Sequence, residues 1–127
     1  MNKVTRVIVG TAIAGFLAVG ATSVASAKDG DVLAVGSCTK STTSKIKLSP
    51  ENGRIEVEFE VDQNRNGVRW SVAIRHRGQV VRRLVRVTRA PSGSFEARVV
   101  LPNGPGAHRI AATATRRGET CTAAATF

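Results

Sequence analysis

Tyrosine is absent from this 127-residue chain, and the other aromatics are few, with one Trp and four Phe. Modules that hold sugar rings use flat exposed aromatics, and binders of single-stranded nucleic acid stack bases on them. Beyond residue 27 only Phe59, Trp70, Phe95 and Phe127 remain, and each falls on the apolar side of an alternating stretch. Trp70, Phe59 and Phe95 are read as core anchors, so no aromatic is left for a platform. Histidine is as scarce. His76 and His108 are the only two, and neither lies in a ligand or nucleophile motif. A metal site needs a cluster of ligands, and no G-x-S-x-G setting is present. The expectation is therefore no catalytic residue, no metal and no cofactor. Glu58 and Glu60 stand about 7 Å apart by strand rise, a separation suited to an inverting glycosidase pair. They share a flat outward row with Glu56, however, and not a cleft, so they read as a solvated face.

Long apolar runs are missing too, except at the start. Lys3 and Arg6 precede an apolar stretch from Val7 to Val19, and Ala25-Ser26-Ala27 has small residues at both specificity positions of a cleavage site. That is the pattern of a secretory signal peptide. Such a stretch rises roughly 20 Å as a helix, short of the ~30 Å hydrocarbon core. A cleaved signal over residues 1–27 is expected, with no transmembrane span afterwards and a secreted, extracellular or cell-wall-associated product starting at Lys28.

Cysteine occurs twice, at Cys38 and Cys121. In an oxidising compartment an even count reads as a disulfide, and two cysteines allow one intramolecular pairing. It would join the first strand to the last. Closing a loop of that length stabilises by roughly 4 kcal/mol in the chain-entropy account, a large share for a domain with a modest core.

What is present in quantity is alternation. In Arg54–Val61, RIEVEFEV, the residues Ile55, Val57, Phe59 and Val61 fall on one face and Glu56, Glu58 and Glu60 on the other. A period of two marks a strand with one dry and one wet face. Residues 28–36 read as a flexible leader. Residues 37–127 then give seven strands: 37–48, 54–61, 68–74, 80–87, 95–101, 110–114 and 121–127. Turn residues separate them at Ser49–Gly53, Asp62–Gly67, Arg77-Gly78, Ala90–Gly93, Pro102–Gly106 and Arg117-Gly118. Val80–Val87, VVRRLVRV, breaks the alternation and reads as a bulge or an arginine-protected edge. No segment has helical period. The expected fold is an all-β, seven-stranded antiparallel sandwich.

Trp70 in the third strand and the run Gly106-Ala107-His108-Arg109-Ile110-Ala111-Ala112 carry a resemblance to the immunoglobulin-like or fibronectin type III-like sandwich over roughly residues 37–127. The run is similar to the G-x-Y-x-C-x-A start of the sixth immunoglobulin strand, with His108 in the tyrosine-corner place and Ile110 in the cysteine place. The chain departs from that pattern in having no Tyr and in pairing cysteines of its first and last strands. It also resembles small secreted actinobacterial proteins, a likeness that implies export and no particular activity. Ig-like chromophore carriers of the neocarzinostatin type have two disulfides, so their ligand binding is not carried over.

Charge is the remaining signal. Removing Lys3 and Arg6 from 19 basic residues leaves 17 against 9 acidic ones, a balance of +8. Arg69, Arg75, Arg77, Arg82, Arg83, Arg86 and Arg89 fall in one hairpin region with no Asp or Glu between them. They are the candidate anion-binding residues. Such a surface attracts polyanions without reading sequence; coding bias and edge protection are the plainer explanations. The expected function is that of a non-enzymatic binding or envelope-associated protein for an anionic polymer or another protein. The alternatives are an inhibitor presenting a loop such as Pro102–Gly106, and a small secreted hydrolase.

Overall fold

The structure is a computed structural model and describes residues 27–127. The expected signal peptide lies outside the described residues, except for Ala27. The described residues form nine strands in chain order. They are β1 (Val32–Val35), β2 (Ser37–Cys38), β3 (Thr43–Glu51), β4 (Arg54–Asp62), β5 (Arg69–His76), β6 (Gln79–Val87), β7 (Ser94–Pro102), β8 (Arg109–Arg116) and β9 (Glu119–Thr126). All pairings are antiparallel. One sheet has the order β1-β3-β4-β7 and the other β2-β9-β8-β5-β6.

Strand β4 sits inside the four-stranded sheet because it has a neighbour for each edge and a buried residue at every second position. Ile55, Val57, Phe59 and Val61 are fully buried. Phe59 lies between Ile46 of β3 and Ala97 of β7, and Val57 between Leu48 and Val99. The facing sheet supplies Trp70, Val72 and Ile74 of β5, Ile110, Ala112 and Ala114 of β8, and Cys121, Ala123 and Ala125 of β9. Bulky residues concentrate on one sheet, and the alanines of β8 and β9 leave room for them. Phe95 lies edge-on to Phe59 at 6.5 Å within its own sheet and 6.1 Å from Trp70 across the sandwich, within the range where ring pairs add stability beyond their area.

Two strands exceed the expected seven. Residues 28–36 are not wholly a leader, since Val32–Val35 pairs with β3 and places Val32 and Ala34 against the core. Four consecutive apolar residues between glycines, VLAV, show no alternation and are too short a signal to read from sequence. The expected first strand, 37–48, is in fact two, because the chain changes sheets between them. Gly36 lies at the crossing from β1 to β2. A Cβ there would collide with the Thr122 carbonyl and the Ser44 hydroxyl and come within 2.7 Å of Ala123, so only glycine lets these backbones approach. The Ser49–Gly53 turn is shorter than its composition implies. Ser49, Pro50 and Glu51 extend β3, and only Asn52 and Gly53 turn, both with positive φ as a type I′ hairpin requires. Pro50 is tolerated because β1 ends opposite Leu48, leaving β3 a single neighbour there. In β6 the bulge and the edge are both real: the register shifts at Ile74/Arg75, leaving Val81 unpaired, and β6 ends its sheet.

Cys38 and Cys121 form a disulfide between directly opposed residues, with Cα atoms 4.0 Å apart. It joins β2, the second strand, to β9 within one sheet. β2 has only two ladder pairs of its own, so the covalent link holds this short edge in place. Replacing both cysteines by alanine is expected to destabilise the domain by about 2–5 kcal/mol. Urea unfolding of wild type and variant measures this; an unchanged midpoint would show that the bond contributes nothing.

Candidate functional site

The two sheets differ in charge. The strands of the four-stranded sheet carry six carboxylates and four basic residues. Those of the five-stranded sheet carry seven arginines and one carboxylate, Glu119. The glutamate row of β4 does not present a free acidic surface. Glu60 meets Lys45 at 3.1 Å and Glu58 meets Lys47 at 3.6 Å, both directly across the β3 ladder. Arg98 of β7 bridges Glu56 at 2.9 Å, Glu58 at 3.5 Å and Glu96 at 3.6 Å. Glu58, weighed above as half of a carboxylate pair, is thus held between two cations on an open sheet face.

Nothing comparable covers the arginines. None of the seven candidates makes an ion pair among the described residues. The structure distributes them over four places. Arg69 and Arg75 of β5 alternate with buried residues and so lie on the outer face of the five-stranded sheet, as does Arg83, which is opposite Ala73. Arg82 and Arg86 share the opposite face of β6, at the open edge of the sandwich. There the Arg86 guanidinium donates to the carbonyls of Glu96 (3.3 Å) and Val85 (2.9 Å). Arg77 occupies the β5–β6 turn with φ 53°, followed by Gly78 at 85°, and Arg89 lies beyond β6, exposed. An eighth arginine, Arg109, joins the outer face. It is exposed at the start of β8, two residues before Ala111, the partner of Arg75. Sequence distance hid it; the signal was its position one residue before the inward Ile110.

The rest of that outer face is small and hydroxylated. Val85, Ser71, Thr115 and Thr120 form one row across the sheet, and Arg83, Ala73, Thr113, Thr122 and Ser37 the next. Ser71, Ala73, Arg75, Arg83, Thr113 and Thr115 line one shallow groove. The four candidate aromatics are not on this face: Trp70, Phe59 and Phe95 are buried and Phe127 packs against the core.

Two polar clusters hold the ends of the sheet. At one end His108 is buried, and its Nε2 donates to the Gly104 carbonyl at 2.8 Å. A carbonyl only accepts, so the neutral ring has Nδ1 free to accept from His76 Nε2–H, 2.8 Å away. The rings stack at 5.0 Å. His76 is therefore half-buried, although Arg75 and Arg77 on either side of it are exposed. Arg77 adds bonds to the Pro105 (2.7 Å) and Ala107 (3.0 Å) carbonyls, so the β5–β6 turn clamps the 103–107 loop. At the other end Glu119 is buried and bonded to Arg116 at 3.0 Å, and Arg116 lies 5.5 Å over the Trp70 ring. Trp70 Nε1 donates to Gln63 at 3.2 Å. This pair is not legible from sequence, because a glutamate after Arg117-Gly118 looks like an ordinary hairpin residue.

No protein-family model, no curated protein and no solved structure matches the chain.

Burial, then His108, then the Arg77 cation lower the His76 pKa below its ordinary 6.5. A histidine with a lowered folded pKa binds fewer protons folded than unfolded, so its contribution is full above the unfolded pKa and is lost as pH falls below about 6.5. Wild type should lose stability over that descent more than His76→Gln does; parallel pH–stability curves would contradict the assignment. A second expectation concerns Arg116. Arg116→Ala leaves the Glu119 carboxylate uncompensated and should cost about 3–5 kcal/mol. Adding Glu119→Gln should recover part of that loss in denaturant unfolding, and additive losses would show that the pair is not coupled.

Proposed function

We propose that this chain is an exported, non-enzymatic Ig-like domain that binds anionic polymers of the cell envelope through its five-stranded sheet. The observation that carries the reading is the outer face of that sheet. Among the described residues it holds Arg69, Arg75, Arg83 and Arg109 and no carboxylate, while the glutamates of the opposite sheet are consumed by their own lysines and Arg98. Guanidinium groups without internal partners favour phosphate and carboxylate oxygens bidentately. The Ig-like part is supported by strand order: β3-β4-β7 and β9-β8-β5-β6 follow the A-B-E and G-F-C-C′ arrangement of such sandwiches. It is also supported by His108, whose bond back to the Gly104 carbonyl makes the contact of a tyrosine corner. The disulfide departs from that pattern by lying within one sheet.

A second reading, a loop-presenting inhibitor, draws on the 103–107 loop. It is exposed, yet three of its carbonyls are held by Arg77 and His108, and rigid loops bind at lower entropic cost. Binding of the mature domain to teichoic acid, heparin and duplex DNA at low and near-physiological salt separates the two. The proposal expects binding that weakens steeply with salt and is lost when Arg69, Arg75, Arg83 and Arg109 are all changed to Ser. Absence of binding at low salt, with inhibition of a co-secreted protease, would favour the loop.

A further inference from the structure

The outer-face arginines are not scattered. Arg83 is opposite Ala73, and Arg75 is two residues beyond Ala73 on the neighbouring strand. Arg75 is opposite Ala111, and Arg109 lies two residues from Ala111, again on the next strand and again toward the β5–β6 turn. Each step is one strand across and two residues along, so the three lie on a straight diagonal over β6, β5 and β8. Diagonal neighbours on one sheet face are about 7–8 Å apart. The line therefore presents one arginine root per ~7–8 Å, much sparser than the one charge per ~1.7 Å of duplex DNA.

Beside the line lie hydroxyls and methyls, with Ser71, Thr113 and Thr115 sharing the groove of Arg75 and Arg83 and Thr126 paired with Arg109. Among the described residues no aromatic lies on this face to stack a base, and stacking carries much of single-strand affinity, nor does any carboxylate lie on it to repel an anion. Resting on the anionic-polymer reading above, we infer that the ligand is a linear polyol phosphate laid along Arg83, Arg75 and Arg109. Each guanidinium takes one phosphodiester, and the polyol hydroxyls between phosphates face the serine and threonine side chains. Because the cations stand on paired strands and not on loops, their spacing is set by the sheet, which favours a chain whose charges recur at that interval.

The test uses the mature domain, poly(glycerol phosphate) of defined length, and oligo(dT) with the same number of phosphates. Three phosphate contacts on a single chain give a slope of log K against log salt of about −2. Arg75→Ser should bring the slope to about −1.4, and the Arg83→Ser, Arg75→Ser, Arg109→Ser combination close to zero. Thermal unfolding should be little changed, since all three side chains are exposed. Poly(glycerol phosphate) should bind more tightly than oligo(dT); the reverse order would overturn the ligand class. If the triple variant binds like wild type while changing Arg82, Arg86 and Arg89 abolishes binding, the diagonal and the outer-face assignment are both wrong, and only the anionic-polymer part of the reading survives. If no polyanion binds at low salt, both fall together.

Discussion

The alternation of β4 between buried and solvated positions constrains the rest of the molecule. Four apolar side chains on one face require a second sheet to cover them, and three glutamates on the other require that this face stay wet. A slip of one residue would bury the carboxylates and expose the core row. The glutamates are also used to select neighbours. Lys45 and Lys47 on β3 and Arg98 on β7 sit across from them, and opposite charges in directly paired positions contribute roughly 0.2–1 kcal/mol each. Register in this sheet is thus set twice, by the core on one face and by ion pairs on the other.

That arrangement explains why the basic surplus ends up on the other sheet. Carboxylates are scarce, and the four-stranded sheet holds six of them on its strands. Only Glu119 remains for β2, β5, β6, β8 and β9, and it is buried beneath Arg116. Unpaired arginines beside one another repel, which weakens a fold slightly and keeps an edge such as β6 from pairing with another chain. Edge protection accounts for Arg82 and Arg86, which lie along the open side of β6. It does not account for Arg75 or Arg109, which stand on interior strands where no edge needs protecting.

Much of the fold was legible because long strands declare themselves by period. β4, β5, β7, β8 and β9 each alternate over eight or nine residues, and the hairpin glycines lie between them. The strands that escaped were β1 and β2, with four and two residues. Their stability comes from a neighbour and a disulfide, which local pattern does not encode. The candidate site was legible only in part. Seven arginines close in sequence looked like one patch, yet alternation sends Arg75 and Arg83 to the outer face, Arg82 and Arg86 to the edge, and Arg77 into a turn where it binds carbonyls. Arg109 belonged with the first group and came from a strand that meets β5 only through the long-range ladder. The burial of His76 was not legible because His108, which covers it, is brought to it by long-range register, whereas Glu119 meets Arg116 across its own local hairpin.

A sheet used as a binding face differs physically from a loop cluster. Loops place side chains on backbone that must be ordered when a ligand arrives, and that ordering opposes binding. The strands under Arg75, Arg83 and Arg109 are already ordered by ladders on both sides or by the core beneath them. What remains to be fixed is the arginine side chains, whose planar groups lose little more on making two hydrogen bonds than one. The clamps at the ends of the sheet serve the same rigidity. Arg77 and His108 tie the β5–β6 turn to the 103–107 loop beside Arg109, and Arg116 seats Trp70 beneath the far end of β5. Under the proposed reading, cations rooted in a regular sheet gain from a flexible polymer only where its charges recur at the spacing of those roots, because each mismatch leaves a guanidinium in water, so selectivity among polyanions would come from interval and not from shape.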